Sequence, residues 1–362
     1  MAARFRDGPN RYPNLTKLSA SEIKALNIIR RGKMNILPTF MLLLFAGLAC
    51  STPVGDADTL VINEKSFIKD MVIYTSENDI IKLLTPLNKL NFNEDDDEES
   101  GENLYIFFVE GEKDAEGKVD YKGLYVLKNG VASKVLDNGK DMAAPSGDNK
   151  KVFLASSDGI YLYNVKTNGA EKYGTINEDI VGIEVENGTD VMYILTNDKK
   201  VYRVTEEGTV KEQLDKIQNA QQIVVDWQNN LFYLDTDNQV YVYSEEEVKK
   251  VEGLPRHPSY VQLTRPPFVL DEGVPVIAGK KAFTATPDGK SEYAQIIMNV
   301  HPTAYSMEAA LIHYYAYNKK IYEFNILSII LTEMVEGIKS FFEDKVDQIQ
   351  TIATRSIGEI LA

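Results

Sequence analysis

Val152-Phe-Leu-Ala-Ser-Ser-Asp-Gly-Ile-Tyr-Leu-Tyr163 reads as two short strands joined by a Ser-Ser-Asp-Gly turn, with aromatic residues on both arms. The same design recurs along the chain. Val191-Met-Tyr-Ile-Leu-Thr-Asn-Asp-Lys-Lys-Val-Tyr202 begins 39 residues later, and Leu231-Phe-Tyr-Leu-Asp-Thr-Asp-Asn-Gln-Val-Tyr-Val-Tyr243 begins 40 after that. A weaker copy, Pro275-Val-Ile-Ala-Gly-Lys-Lys-Ala-Phe283, precedes the strong copy Leu311-Ile-His-Tyr-Tyr-Ala-Tyr-Asn-Lys-Lys-Ile-Tyr322. Upstream, Leu104-Tyr-Ile-Phe-Phe-Val109 matches Gly123-Leu-Tyr-Val-Leu127 across a longer charged connection, which makes six units.

Each unit has flanking strands. Short apolar runs at 180–185, 223–225 and 268–270 stand before three of the hairpins. Gly-led polar strands at 130–136, 169–173 and 208–214 follow others. Four short strands per period of about 40 residues is the pattern of a β-propeller blade. One such sheet cannot bury both faces, so blades stack around an axis and close on themselves. A β-sandwich also has short strands and frequent turns, but nothing holds them to a fixed period. The expectation is an all-β, six-bladed β-propeller over 58–330 with a C-terminal amphipathic helical extension over 331–362.

Two segments frame the repeat. Residues 58–76, with Thr59-Leu-Val-Ile62 and Met71-Val-Ile-Tyr74, supply one or two strands ahead of the first unit, suited to closing the ring. Beyond Thr332, apolar residues at Met334, Ile338, Phe341, Phe342, Val346, Ile349 and Ile352 follow steps of three and four. That stripe would dock on the propeller or, left bare, form a dimer surface. The six acids of Glu94-Asp-Asp-Asp-Glu-Glu99 read as a solvated loop, since they lack the Asp-x-Asp-x-Asp-Gly spacing of a calcium loop.

Charge narrows the partners. The 362 residues carry 39 Lys+Arg and 54 Asp+Glu, a net charge of −15. The first 33 residues hold eight bases and two acids, so the remainder is at −21. A surface that acidic repels phosphate backbones and anionic lipid, so neither nucleic acid nor a membrane is an expected partner. The single Cys excludes an intrachain disulfide framework and a thiolate metal site.

The basic Arg30-Arg31-Gly32-Lys33 precedes an uncharged stretch to Cys50 that ends in small residues, Gly47, Ala49 and Ser51. This reads as a signal peptide over 34–51 behind an N-terminal extension over 1–33. The apolar run is shorter than the roughly 20 residues a bilayer core needs. Gly47-Leu48-Ala49-Cys50 fits a lipoprotein signal poorly. The expected location is therefore extracellular. Asn187-Gly188-Thr189 is then a glycosylation acceptor, although Asn-Gly is equally a hairpin signal.

Catalytic chemistry has little support. His257, His301 and His313 are scattered, and no HExxH, GxSxG, P-loop or dinucleotide motif occurs. Neither cofactor nor metal is expected. Metal-dependent lactonases on six-bladed propellers hold calcium with acidic and amide side chains around the axis, and here Asp226, Asp271 and Glu308 stand before strands of successive units. Yet Asp226-Trp-Gln-Asn-Asn230 reads as the turn between a blade's first two strands. The favoured reading is binding. Trp227, with Asp226, Asp271, Glu308 and a few tyrosines, would line an axial channel suited to a flat aromatic ligand.

The units Asp158-Gly-Ile-Tyr-Leu-Tyr-Asn-Val-Lys-Thr-Asn168, Val191-Met-Tyr-Ile-Leu195 and Val225-Asp-Trp-Gln-Asn-Asn-Leu-Phe-Tyr233 resemble lepidopteran ommochrome-binding proteins and the venom-protein-R-like secreted proteins. Leu60-Val-Ile-Asn-Glu-Lys65 resembles the start of their mature chains. The resemblance spans 58–325 and is one of blade motifs. It implies a haemolymph or salivary protein that carries a tryptophan-derived pigment without catalysis. Alternatively, it implies an oral-secretion effector that binds a host protein such as a jasmonate-signalling repressor. The C-terminal stretch, the acidic run near Asp95 and the N-terminal extension depart from that pattern.

Overall fold

The computed structural model describes residues 59–92, 104–114 and 117–325. The expected N-terminal extension, signal peptide, acidic loop and C-terminal helix all lie outside them.

Two strands precede the ring, β1 (Leu60–Ile62) and β2 (Val72–Thr75). The first blade is β3 (Ile80–Leu84), β4 (Tyr105–Lys113), β5 (Val119–Lys128) and β6 (Val131–Leu136). The second is β7 (Gly139–Ala143), β8 (Phe153–Ser156), β9 (Gly159–Asn164) and β10 (Gly169–Lys172). The third is β11 (Ile180–Val185), β12 (Met192–Thr196), β13 (Val201–Thr205) and β14 (Val210–Gln213). The fourth is β15 (Ala220–Val225), β16 (Leu231–Asp235), β17 (Val240–Tyr243) and β18 (Val248–Lys250). The fifth is β19 (Val261–Leu263), β20 (Val274–Ala278), β21 (Lys281–Ala285) and β22 (Ser291–Met298). The last is β23 (Ala304–Ser306), β24 (Ile312–Tyr317) and β25 (Lys320–Asn325), completed by β2.

The six repeats are thus six antiparallel sheets, and each sequence hairpin is the second and third strand of a blade. Burial explains why those hairpins were visible. The second strands lie between neighbouring blades, so β8, β12 and β20 are buried along their whole length. Third strands alternate, as in β17, and the outermost β14 is exposed throughout. Apolar content falls outward because the blades diverge from the axis.

The innermost strands share a device. In the first four blades the pairing with the second strand slips by one residue, at Ile80/Lys82, Gly139/Asp141, Ile180/Gly182 and Ala220/Gln222. Such bulges add twist and turn the strand's remaining side chains. After each slip, Lys82, Asp141, Gly182 and Gln222 resume the ladder. Three of the four are polar or charged, and they face the axis's crowded centre or the next blade.

Closure uses the N-terminal segment, as its sequence suggested. β2 pairs antiparallel with β25, with Val72 opposite Tyr322 and Thr75 opposite Lys320. Ser76 N donates to the Lys319 carbonyl at 2.8 Å. β1 adds a fifth, parallel strand to the fifth blade, Leu60 opposite Ile296 and Ile62 opposite Met298. One segment therefore laces two blades that lie at the far end of the sequence.

Two expectations need correction. The inner strand of the fifth blade is 261–263, whereas 268–270 forms a turn in which Leu270 N donates to Pro267 O. Pro266 and Pro267 stop strand pairing just before it, and Phe268 is 37% exposed. The helical extension is no part of the observed architecture. Among the described residues there is no α-helix, only three-residue 3-10 turns such as Glu64–Ser66 and Glu206–Gly208. No described helix is long and apolar enough to cross a membrane.

Candidate functional site

The chain leaving each innermost strand turns outward at the same end of the ring. These turns form a rim, and hydrogen bonds staple every blade boundary of it. Asn88 Nδ2 donates to Lys151 O (2.9 Å) and Ser146 Oγ to Asn187 Oδ1 (3.0 Å). Asn187 N donates to Asn229 Oδ1 (2.7 Å), and Gly273 N to Asp226 Oδ2 (2.7 Å). Phe268 N donates to Glu308 O (3.0 Å), and Thr85 N to Ser306 Oγ (2.9 Å).

Inside this rim lies a recess of about 50 Å³. All six blades line it, among them Thr85, Ala144, Glu184, Trp227, Arg265 and Glu308. Below it the axis is crossed by a side chain. Arg265 Nε donates to Glu184 Oε2 at 3.0 Å, and Nη2 donates to the carbonyls of Met142 (2.7 Å) and Ile183 (3.2 Å). The fifth blade is so tied to the second and third through the centre. Beside this contact, Lys82 Nζ pairs with Asp141 Oδ2 at 3.0 Å, and the same oxygen accepts from Ile183 N at 3.1 Å.

The electrostatics follow from burial. Desolvation pushes the Glu184 carboxyl up to about 7, against the pull of Arg265. Burial alone would lower the Arg265 guanidinium, but Glu184, Asp141 and Glu308 outweigh it and raise it further. Desolvation also raises the Glu308 carboxyl, opposed by Arg265, the Ser306 hydroxyl and nearby backbone amides.

Glu308 is 6% exposed and Thr85 3%. Ser306 Oγ donates to Glu308 Oε2 at 2.7 Å, while among the described residues Glu308 Oε1 and Thr85 Oγ1 have no hydrogen-bond partner. Two orphaned buried oxygens on residues that line one small recess are unusual, because each costs about 1–3 kcal/mol unless something fills the gap.

The sequence-derived residues separate here. Trp227 lines the recess and donates from Nε1 to Pro266 O at 3.0 Å. Glu308 lines it as well. Asp226 is fully buried but already saturated, accepting from Gln228 N, Asn230 N, Asn230 Nδ2 and Gly273 N. It is the staple of the fourth blade's first turn, as its Asp-Trp-Gln-Asn-Asn context indicated. Asp271 is exposed and does not line the recess. Asn187 lines it, with its side-chain nitrogen directed at Asp226 O (3.4 Å). Glycosylation would modify that nitrogen.

The calcium arrangement is not assembled. Among the described residues no three His, Cys, Asp or Glu gather where they could hold a metal ion. Nor is the expected aromatic wall seen, since among the described residues Trp227 is the one aromatic side chain that lines the recess. The tyrosines sit on the blades instead. Tyr125, Tyr161 and Tyr202 each lie under a lysine of the adjoining outer strand, Lys134 (5.4 Å), Lys172 (5.0 Å) and Lys211 (4.7 Å).

Arg265, Thr85 and Glu184 were missed by the sequence reading. A signal existed: Thr85-Pro86, Ala144-Pro145 and Arg265-Pro266 stand at equivalent exits from inner strands, so an arginine occupies a small-residue position. Glu184 likewise interrupts the otherwise apolar run 180–185.

No protein-family model and no curated protein matches the chain. The likeness to ommochrome-binding proteins therefore rests on the blade motifs alone. Among solved structures the chain is similar to PorZ, described as an essential bacterial surface component of the type-IX secretion system of Porphyromonas gingivalis. Identity is 11%, with 69% of this chain and 37% of PorZ covered, at a TM-score of 0.43. The chain thus spans little more than a third of that protein, and the fold argument rests on the six sheets themselves.

Proposed function

We propose that this propeller acts by binding, without catalysis, and that its ligand lies over Trp227 at the rim with one small polar arm in the recess. The observation that carries this reading is that Glu308 and Thr85, two of the residues lining a recess reached by all six blades, each keep a buried oxygen (Oε1 and Oγ1) with no hydrogen-bond partner among the described residues.

Size fixes the pose. Pockets that enclose a whole organic ligand run to roughly 300–1,000 Å³, whereas about 15 Å³ admits a water. The 50 Å³ here takes a compact head group and leaves a ring system outside, against the indole of Trp227. A tryptophan-derived pigment of the ommochrome type meets that description, with a flat body and a short polar arm. The likeness in blade motifs supports it, and the signal-peptide reading supports delivery into an extracellular fluid.

Native purification followed by an absorbance scan and intact-ligand mass spectrometry tests this. A copurifying small aromatic molecule is the expected result. A colourless, ligand-free preparation that captures a host protein instead would replace the carrier by an effector.

A further inference from the structure

We infer that the recess is a site for a primary ammonium group, so that the ligand class is an aromatic amine. This deepens the binding reading above and rests on it.

Around the axis at this level stand two basic side chains, Lys82 and Arg265, and three acidic ones, Asp141, Glu184 and Glu308. Arg265 already commits Nε and Nη2 to Glu184, Met142 and Ile183, and Lys82 is paired with Asp141. Glu308 feels Arg265 at a distance but has no hydrogen bond from it. Asp141 and Glu184 thus each have a basic partner, whereas among the described residues Glu308 has no ion pair, and an incoming cation would hold its carboxyl ionised and pair with it.

Hydrogen-bond geometry agrees. Of the two vacant positions, the Glu308 Oε1 of an ionised carboxyl can only accept, while the Thr85 hydroxyl can accept and can turn its own proton towards the rim. Ser306 cannot supply the missing donor, because its hydroxyl proton goes to Glu308 Oε2. An ammonium carries three donors and no acceptor, which matches two such oxygens and leaves one proton for the rim. A carboxylate arm would instead face Glu184 and Glu308 at close quarters.

The number of ligands speaks against calcium. Calcium needs about six to eight oxygens, and the described residues gather no metal-holding group. A water could satisfy both oxygens but would leave the charge uncompensated.

Calorimetric titration of the full chain with 2-phenylethylamine, 3-phenylpropionate and 2-phenylethanol tests the inference. These three probes share a ring and differ in the arm. The amine is expected to bind about tenfold or more tightly than either of the others, the scale of one charge-assisted hydrogen bond. Glu308→Gln and Thr85→Val are each expected to weaken the amine about tenfold or more and to weaken the alcohol by less than they weaken the amine. Thermal melts establish that each variant is folded; if Glu308→Gln is not, Thr85→Val and the wild-type comparison decide. Equal binding of amine and alcohol, or a folded Glu308→Gln that keeps the amine, overturns the ammonium site. If the probes bind without preference and Trp227→Phe abolishes that binding, the carrier reading stands and the ammonium site falls. If no probe binds, both fall.

Discussion

The Nε of Arg265 donates to Oε2 of Glu184 at 3.0 Å, joining the exit of the fifth blade's inner strand to the inner strand of the third. Both side chains are largely buried, at 19% and 8% exposure. Desolvating two charges is costly, so the pair stabilises the ring only when both are present. Arg265→Ala leaves Glu184 buried without its donor, and removes the bonds to the Met142 and Ile183 carbonyls, and should cost about 3 kcal/mol. Chemical denaturation checks this, and Arg265→Met with Glu184→Leu should recover most of the loss. A single Arg265→Ala within error of wild type would show that the crossing contact is not formed.

Acid stability carries two opposed contributions. His313 is fully buried, accepting at Nδ1 from the Tyr315 hydroxyl (2.8 Å) and donating from Nε2 to Ala310 O (2.9 Å). Burial lowers it from 6.5 to about 4. Its stabilising share is present above pH 6.5 and is lost as pH falls towards 4. Glu184, raised from 4.5 to about 7, contributes oppositely: its share is present below pH 4.5 and is lost as pH rises through 7. Each spans on the order of 3 kcal/mol. Relative to wild type, His313→Gln should therefore gain stability on acidification from pH 6.5 to 4.5, and Glu184→Gln should lose it. Difference curves of unfolding free energy against pH give the signs; parallel curves would refute both assignments.

Ring closure depends on β2. A chain beginning at Glu77 lacks the strand opposite Tyr322 and Lys320, and so leaves β25 as an open edge. It should lose its cooperative melt or aggregate, and a peptide of residues 59–76 added in trans should restore the transition. A truncated chain that melts like the full one would mean the ring holds without its latch.

Gly159 fixes the second blade's hairpin. It sits at φ +127°, and a Cβ there would lie 2.1 Å from the carbonyl oxygen of Ile176. Backbone, not a flexible side-chain end, blocks the space. Gly159→Ala should cost about 2 kcal/mol or more in urea denaturation.

Much of the ring was legible because buried strands carry their own pattern. Phe153-Leu-Ala155 and Met192-Tyr-Ile-Leu195 are continuous apolar runs for the reason that another blade covers each face. The closing segment at 71–74 was equally visible. The three-residue strand at 261–263 was not, since it is too short to show a period. The site was harder. Trp227 and Glu308 emerged as candidates, but Asp226 proved to be a turn staple, and Arg265 is a partner of Glu184 from 81 positions away. No local pattern encodes a contact that only ring closure creates.

Trp227 is the sole tryptophan, so its emission reports the rim without interference from any other indole. The most direct test of the binding account is to titrate the full chain with kynuramine, an aromatic amine of the tryptophan-derived class that lacks the α-carboxylate, while following that emission. The account predicts saturable quenching that Glu308→Gln weakens. A strictly linear response, the same in both proteins, would contradict it.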